Sequence, residues 1–392
     1  MRNHPRYDVV IVGTGPAGSL LAHDLAGHGL AVLLLEKKRL PRYKTCGGGL
    51  TRRAAALLPF AIDDIIEDQA RTVRLRVHYQ TVYAQTGQPA VQLVMRDRFD
   101  HHLVKKAVAA GAELRDQTRF LSLAGPPGNL TLKTSNGPVR AGMIAGADGV
   151  HSRVARALGL PLHYGVMPAL EAELAVPGTV LERWAGSICF DFGVIPGGYA
   201  WLFPKQQHLS AGILARGRPA RQLMPYFKQY LKKNGLVRGT VIQSMRLHPI
   251  PCRPGRRNRY AERRGLVVGD ATGLGDAVTG EGIYYALQSA RIAARVIQNH
   301  AHDRRFCANR YDQIIRNEIA AEALRADRLA RILYGFPSLS NRILKRHGDK
   351  IGAQHIAVYL GEMSYRQLYR YVLSPRGFAY LLRSRRSKSR LF

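Results

Sequence analysis

The sequence predicts an α/β fold in which a nucleotide-binding domain is interrupted by an antiparallel sheet and followed by helices. Three observations predict it. A nearly all-apolar run, residues 7–12, leads into Gly13-Thr14-Gly15-Pro16-Ala17-Gly18 and then into an apolar helical stretch. Far downstream, the apolar run 265–268 ends in Gly269-Asp270-Ala271-Thr272-Gly273, and Gly280-Glu281-Gly282 follows. Between the two, from about residue 160 to 250, short strand-like runs are separated by Pro and Gly turns.

Residues 7–12 read as a buried parallel strand, because such strands are covered on both faces and need no polar alternation. Gly13 permits the tight turn after it, Gly15 lets the backbone approach a pyrophosphate, and Gly18 lets the next helix pack closely. That helix, expected over 17–28 with Pro16 at its start, points its amide end at the phosphates. Gly29 stops it, and residues 31–35 form the next strand. Glu36 closes that strand and can accept hydrogen bonds from both adenosine ribose hydroxyls, while its charge repels a 2′-phosphate. FAD or NAD fits this slot, and NADP does not. Lys37 adjoins it as a further cofactor candidate.

Residues 95–100 open a helix running to about 110, with Asp97 as the expected N-cap. Phe99, Leu103, Val104, Ala107 and Val108 form its expected apolar face, and Gly111 ends it. Arg98, near the helix start, is the candidate to reach a phosphate or the flavin edge; a surface position is the alternative. Asp148 and Gly149 turn a short strand into the helical stretch 152–158. The runs 170–174, 188–194, 200–203 and 209–214, with 71–79 and 91–95, are expected to form one antiparallel sheet over the cofactor. Trp184, Phe190, Phe192, Tyr199, Trp201 and Phe203 concentrate there.

In the second glycine-rich stretch, Gly269 and Asp270 follow a buried strand, and Asp270 is placed for a ribityl hydroxyl. Gly280 and Gly282 allow amide groups near the N1/O2 edge of a flavin. The helix expected from Glu281 to about Asn299 aims its positive end there. The two stretches in this order mark a Rossmann-type FAD-binding domain. The expected division is 1–70, 96–160 and 251–300 for the FAD domain, 71–95 and 161–250 for an inserted antiparallel-sheet substrate domain, and 301–392 for a C-terminal helical region.

Composition narrows the rest. The 392 residues carry 59 Lys and Arg against 27 Asp and Glu, a formal net charge of +32. That excess reads either as a solvated arginine-rich surface or as attraction to polyanions. The last residues, with Arg383, Arg385, Arg386, Lys388 and Arg390 after Tyr380, Leu381 and Leu382, suit an anionic membrane surface. No aromatic-basic nucleic-acid motif is visible, so no specific nucleic acid is expected. Cys46, Cys189, Cys252 and Cys307 are dispersed, which supports neither a metal site nor a disulfide framework. Asp8 and the glycine fingerprint interrupt the apolar run that follows Arg2 and Arg6, against a secretory signal. A cytoplasmic location is expected, with peripheral contact at the inner face of the membrane.

Taken together, these residues resemble the geranylgeranyl reductase family of FAD-dependent oxidoreductases, within the larger para-hydroxybenzoate hydroxylase-like group. The resemblance spans roughly residues 7–300. Three elements are common to the larger group: the fingerprint with Glu36, Ala147-Asp148-Gly149 with Ser152 and Arg156, and Gly269-Asp270. Two are narrower: Pro41-Arg42-Tyr43-Lys44-Thr45-Cys46-Gly47-Gly48-Gly49-Leu50 and Tyr199-Ala200-Trp201-Leu202-Phe203-Pro204. The family usually carries Pro in the loop before Gly-Glu-Gly, where this chain has Ala277.

The resemblance implies saturation of isolated C=C bonds in a prenyl chain, by hydride from reduced FAD and a proton from an acid. An apolar, water-poor site armed with one acid is then expected. It places Cys46, Gly47 and Gly48 beside the flavin, with Cys46 as the active-site candidate or else a small structural thiol. Tyr199, Trp201 and Phe203 would shape the substrate cavity. NAD(P)H binding transiently, or a reduced ferredoxin-like acidic protein, would supply electrons. The rival readings are a flavin monooxygenase of the aromatic hydroxylase type, a flavin halogenase and a non-catalytic polyanion-binding protein. The C-terminal helices read as a cap over a lipid entrance or as a packing appendage.

Overall fold

The computed structural model describes residues 6–77, 80–299, 307–335, 356–358 and 360–373. Strand Arg6–Val12 lies inside a parallel sheet, flanked by Gly137–Gly146 on one side and Val32–Leu35 on the other. Glu113–Arg115 and Gly265–Val267 extend the parallel set outward. Alternate residues of the first strand enter two cores. Val9 and Ile11 pack under helices Pro16–Ala26, Arg96–Ala109 and Ile283–Gln298. Tyr7, Val10 and Val12 pack against Leu130, Leu132 and Val154. The second face is covered by strands Phe120–Ala124 and Leu130–Thr134 and by the short helix Arg153–Ala157.

The inserted sheet has seven strands, with Tyr164–Ala175, Leu209–Ala215, Gly198–Pro204 and Ser187–Asp191 at its centre. Two expectations need correction here. Thr72–Val77 pairs in parallel with Ser187–Asp191, so the sheet is not wholly antiparallel. Val91–Val94 does not join it; that strand pairs with Gly49–Thr51 and Ile66–Ala70 in a separate three-stranded sheet. The reason is its double burial: Val94 enters the nucleotide-domain core and Leu93 the core of the seven-stranded sheet, so the strand bridges both. The edge strand Val241–Pro254 was not foreseen, because its Arg, His and Pro residues mask the alternation.

Helix Arg96–Ala109 is capped by Met95, whose backbone is extended, rather than by Asp97. Asp97 sits in the first turn and accepts a bond from the Arg98 amide at 2.8 Å. Val108 is 44% exposed, outside the apolar face made by Phe99, Leu103, Val104 and Ala107. Five positions beyond Leu103 the helix has turned well past one revolution, which carries Val108 outward.

After residue 307, helix Ala308–Ile315 packs on the nucleotide domain through Tyr311 and Ile315. Helix Ala321–Gly335 packs on the seven-stranded sheet through Ala326, Ala330 and Tyr334, and Tyr365 of helix Tyr365–Leu373 joins them. The basic tail (Arg383, Arg385, Arg386, Lys388, Arg390), the stretch Phe336-Pro337-Ser338 whose sequence signals a break between helices, and, of the tyrosines concentrated near the end, Tyr359 and the side chain of Tyr371 lie outside the described residues. Among the described residues, no helix is long and apolar enough to cross a membrane.

Candidate active site

A cavity of ≈ 680 Å³ is lined both by the C-terminal ends of the parallel strands and by one face of the seven-stranded sheet. At its nucleotide end, Gly13 has φ 110°, and a Cβ there would lie 2.3 Å from the Ala147 carbonyl oxygen. Gly18 stands behind the wall, where a Cβ would come within 1.9 Å of the Gly13 oxygen. Gly15 differs from both: it lines the cavity, and a Cβ there would meet nothing within 4 Å. The space beside it is therefore a cradle that a side chain would fill. Pro16 and Ala17 line the same wall, and helix Pro16–Ala26 has no side-chain cap, which leaves its first amides for a ligand.

Glu36 is buried and accepts bonds from Thr14 Oγ1 (2.6 Å), Arg42 Nε (2.9 Å) and the Lys38 amide (3.0 Å). Burial would raise its pKa, but Arg42 and these bonds outweigh burial and hold the carboxyl below its ordinary value. A carboxylate offers about four lone-pair sites, so one remains for a ribose hydroxyl. Lys37 lines the cavity beside it. Asp148 accepts from Ser152 Oγ and the Arg153 and Val154 amides, capping helix Arg153–Ala157 next to Gly149 on the wall. These donor sets and the open cradle at Gly15 fit a dinucleotide.

Arg98 is not at this site. It is 48% exposed and pairs with Glu67 at 2.7 Å. Arg96 lines the cavity instead, buried and bidentate to Asp100 at 2.8 and 3.1 Å. Two helix positions rotate a side chain about 200°, so the two arginines point to opposite faces. Burial disfavours the Arg96 charge, but Asp100 and then Cys46 more than offset it and raise its pKa. Asp100 also receives Arg42 Nη1 at 3.1 Å, which joins the arginines through one carboxylate. The Arg96/Asp100 spacing of one helical turn was a signal available in the sequence.

At the other end, Gly269, Asp270, Gly280, Gly282 and Ile283 line the cavity where helix Ile283–Gln298 begins without a side-chain cap. Glu281 is held by Thr51 Oγ1 at 2.6 Å and by Arg53. Gly280 has φ 69°, and a Cβ there would lie 2.9 Å from Tyr199 Oη. The Tyr199 hydroxyl donates to the Thr279 carbonyl, tying the aromatic strand to this turn. In the loop that lacks the usual proline, Asp276 Oδ1 accepts from the Val278 and Thr279 amides at 2.7 and 3.0 Å. Those bonds brace the turn from within, and Ala277 is fully buried.

The segment around Cys46 forms the opposite wall. Cys46 Sγ accepts from the Gly48 amide at 3.4 Å. A Cβ on Gly47 would lie 2.8 Å from Trp201 Nε1, and one on Gly48 would lie 1.9 Å from the Val94 oxygen. Buried Lys205 donates to the Gly47 and Val94 carbonyls at 2.8 and 3.0 Å, clamping the segment to the small sheet. Tyr199, Trp201 and Phe203 line the cavity with Ile188 and Phe190. Phe190 meets Tyr199 and Phe203 edge-on at 5.6 and 5.5 Å between centroids. Lys44 Nζ donates to His248 Nε2 at 2.8 Å. Burial, then Lys44 and Arg96, push His248 down to about 3, so it is neutral at physiological pH. Arg96, Glu171 and His248 line the cavity without having been named as candidates from the sequence, and Arg42 and Lys44 line it within the segment that carries the resemblance.

Residues 6–305 match the family model described as FAD binding domain. Digeranylgeranylglycerophospholipid reductase 2 of Methanothermobacter thermautotrophicus is 30% identical over 353 residues, covering 84% of this chain and 88% of that protein. The chain belongs to the geranylgeranyl reductase family of FAD-dependent oxidoreductases. An uncharacterized protein of Methanosarcina barkeri is 33% identical over 317 residues, 79% of this chain and 80% of that one. The crystal structure of a geranylgeranyl bacteriochlorophyll reductase-like protein from Thermoplasma acidophilum superposes with TM-score 0.79 at 23% identity, covering 94% and 98% of the two chains, and shows the same fold. As a member of this family the protein is an FAD enzyme acting on CH–CH groups.

Proposed function

We propose that the enzyme saturates isolated C=C bonds of a geranylgeranyl-type isoprenoid chain. The observation that carries this reading is the continuity of the cavity. Its dinucleotide cradle passes into a wall of Ile188, Phe190, Tyr199, Trp201, Phe203 and Leu214, with few polar atoms to hold a polar substrate. Reduced FAD, when bound, supplies hydride. Gly13, Gly15, Pro16, Ala17 and Gly18 would shape the pyrophosphate cradle, Glu36 and Lys37 would meet the adenosine end, and Arg96 would approach the phosphates. Asp148, Gly149, Gly269 and Asp270 would border the middle of the cofactor; Gly280, Gly282, Ile283, Cys46, Gly47 and Gly48 would border the flavin. The apolar wall orients the prenyl chain and excludes water, and Cys46 is the active-site candidate at the junction. Members of the family acting on lipid, as the Methanothermobacter relative's name states for that protein, support this substrate class.

The segments 1–70, 96–160 and 251–300 serve as the FAD domain in this reading, and 71–95 with 161–250 as the substrate domain. Electrons would come from NAD(P)H, binding transiently because the sequence contains no second dinucleotide fingerprint, or from a reduced ferredoxin-like acidic protein. An anionic membrane would present a lipid substrate to the strongly basic protein.

The test is mass spectrometry of products from FAD-loaded protein incubated anaerobically with dithionite and geranylgeranyl lipids or diphosphate. A parallel aerobic reaction contains NADPH. Stepwise gain of two hydrogens is expected. Gain of an oxygen atom in the aerobic arm alone would replace this reading with a monooxygenase.

A further inference from the structure

An isolated alkene has no carbonyl to hold negative charge, so its reduction needs an acid as well as a hydride. We propose that Glu171 is that acid, delivering the proton to the prenyl double bond in the reaction proposed above, on which this assignment rests. Side chains along strand Tyr164–Ala175 alternate between faces. Leu170, Ala172 and Leu174 enter the core beneath helix Leu223–Lys233, while Ala169 and Glu171 line the cavity. Glu171 is only 2% exposed. Its Oε2 receives no N–H or O–H donor from a fixed group, the Glu173 carboxyl stands within hydrogen-bonding reach of the side chain, and its Oε1 receives a long contact from the Tyr43 hydroxyl at 3.5 Å. Glu36, Asp148 and Glu281, which share the cavity wall, are each fixed by at least two donors. A buried carboxyl that no cation or amide fixes, and that lies against a second carboxyl, is costly unless one of the two is neutral.

The surroundings keep it neutral. Burial, then Cys46 and Glu173, push its pKa up to about 9, with Lys205 acting in the opposite direction. The groups around it are Tyr43 and Cys46 from the glycine-rich segment, Glu173 from its own strand and Lys205 from beyond strand Gly198–Pro204. Ser244 and Arg246 approach from the edge strand, with Arg246 over the Tyr43 ring at 5.1 Å. Tyr43 is itself pushed up to about 12, chiefly by burial, so its hydroxyl keeps a proton to pass on. Its oxygen lies 3.5 Å from both Glu171 Oε1 and Ser244 Oγ. Ser244 sits between exposed Gln243 and Met245 on the edge strand, which completes a route to solvent.

The Glu171 O–H bond breaks as the alkene π pair forms a C–H bond with its proton. The second alkene carbon, left electron-deficient, would take the hydride that reduced FAD supplies when bound. One proton and one hydride are added, and the carboxylate left at Glu171 regains a proton from water through Ser244 and Tyr43.

The test uses FAD-loaded wild type, Glu171→Gln and Glu171→Asp. Each is reduced with dithionite and mixed anaerobically with geranylgeranyl diphosphate, and flavin reoxidation and product mass are followed against pH. Wild-type rates are expected to fall through an alkaline pKa. Glu171→Gln should be about 100-fold slower or worse and lack that pH limb, while Glu171→Asp keeps the limb at a reduced rate. FAD content and the flavin spectrum should be unchanged. Infrared titration, which does not depend on turnover, should show a protonated carboxyl band at pH 7 that is absent from Glu171→Gln. A Glu171→Gln rate within threefold of wild type, or an ionised Glu171 at pH 7, overturns the assignment. Wild type that leaves the prenyl chain unreduced overturns the proposed function and the acid together; reduction by Glu171→Gln at a rate within threefold of an active wild type overturns the acid alone.

Discussion

Alanine at Gly15 separates the cradle's role in binding from its role in folding. Gly15 has φ −74° and ψ −179°, a conformation open to alanine, and its Cβ would touch no protein atom within 4 Å. Alanine is a poorer N-cap than glycine, so the apo-protein should lose no more than about 1 kcal/mol. The new methyl instead occupies space needed by a phosphate against the helix amides. A hydrogen bond to a charged group contributes roughly 1.5–3 kcal/mol, so each one lost weakens FAD binding roughly 10- to 150-fold. Gly18→Ala is the opposite case. Its Cβ would lie 1.9 Å from the Gly13 oxygen and 2.9 Å from Ala147 Cβ, so the helix must move off the sheet. Overpacking of this kind costs about 1–3 kcal/mol or more. Flavin fluorescence titration of the apo-proteins reads affinity, and circular dichroism melts read stability. FAD affinity of Gly15→Ala within threefold of wild type, or a stability loss equal to that of Gly18→Ala, would refute the cradle.

The two arginines near the start of helix Arg96–Ala109 should behave differently. Arg96→Ala leaves buried Asp100 with Arg42 as its remaining guanidinium; it should cost roughly 3 kcal/mol and weaken FAD binding, whereas exposed Arg98→Ala should cost under about 1 kcal/mol with unchanged affinity. Denaturant melts and FAD titration of both variants check this. Glu171 predicts a pH dependence of the apo-protein's stability. Its folded pKa of about 9 exceeds its ordinary 4.5, so the favourable contribution is complete below 4.5 and lost as pH rises through about 9. At about 1.36 kcal/mol per unit, roughly 3 kcal/mol goes by pH 7, and Glu171→Gln should gain on wild type by that order between pH 4.5 and 7 in urea melts. Asp148 and Asp276, also raised chiefly by burial, remain in both proteins and cancel in the difference. Tyr334→Phe removes the 2.6 Å bond from a buried hydroxyl to the Val278 carbonyl and should cost about 1–3 kcal/mol in a thermal melt, because the carbonyl is left unpaired.

The sequence by itself determined the nucleotide-binding half of this protein. Gly13, Gly15, Gly18 and Glu36 act within one strand–turn–helix–strand unit, so their chemistry is local and readable from spacing. The Tyr199-Ala200-Trp201-Leu202-Phe203-Pro204 motif was legible for the same reason, since alternation along one strand sends Tyr199, Trp201 and Phe203 to one face. Local rules failed where a rotation or a distant partner decides the outcome. Arg96 and Arg98 differ by half a turn of helix, and the sequence reading chose the one that faces solvent. Val91–Val94 looked like any short strand, and only its partners Gly49–Thr51 and Ile66–Ala70 place it between two cores. Glu171 lay in the alternating run Leu170-Glu171-Ala172-Glu173-Leu174, whose pattern alone would send both carboxylates to solvent. Its burial and its nearness to Cys46 arise only when the glycine-rich segment, held by Lys205, closes over the sheet. Tertiary structure therefore decided which groups share the cavity and which protonation states they keep, because desolvation and through-space charge depend on neighbours that sequence separation does not encode.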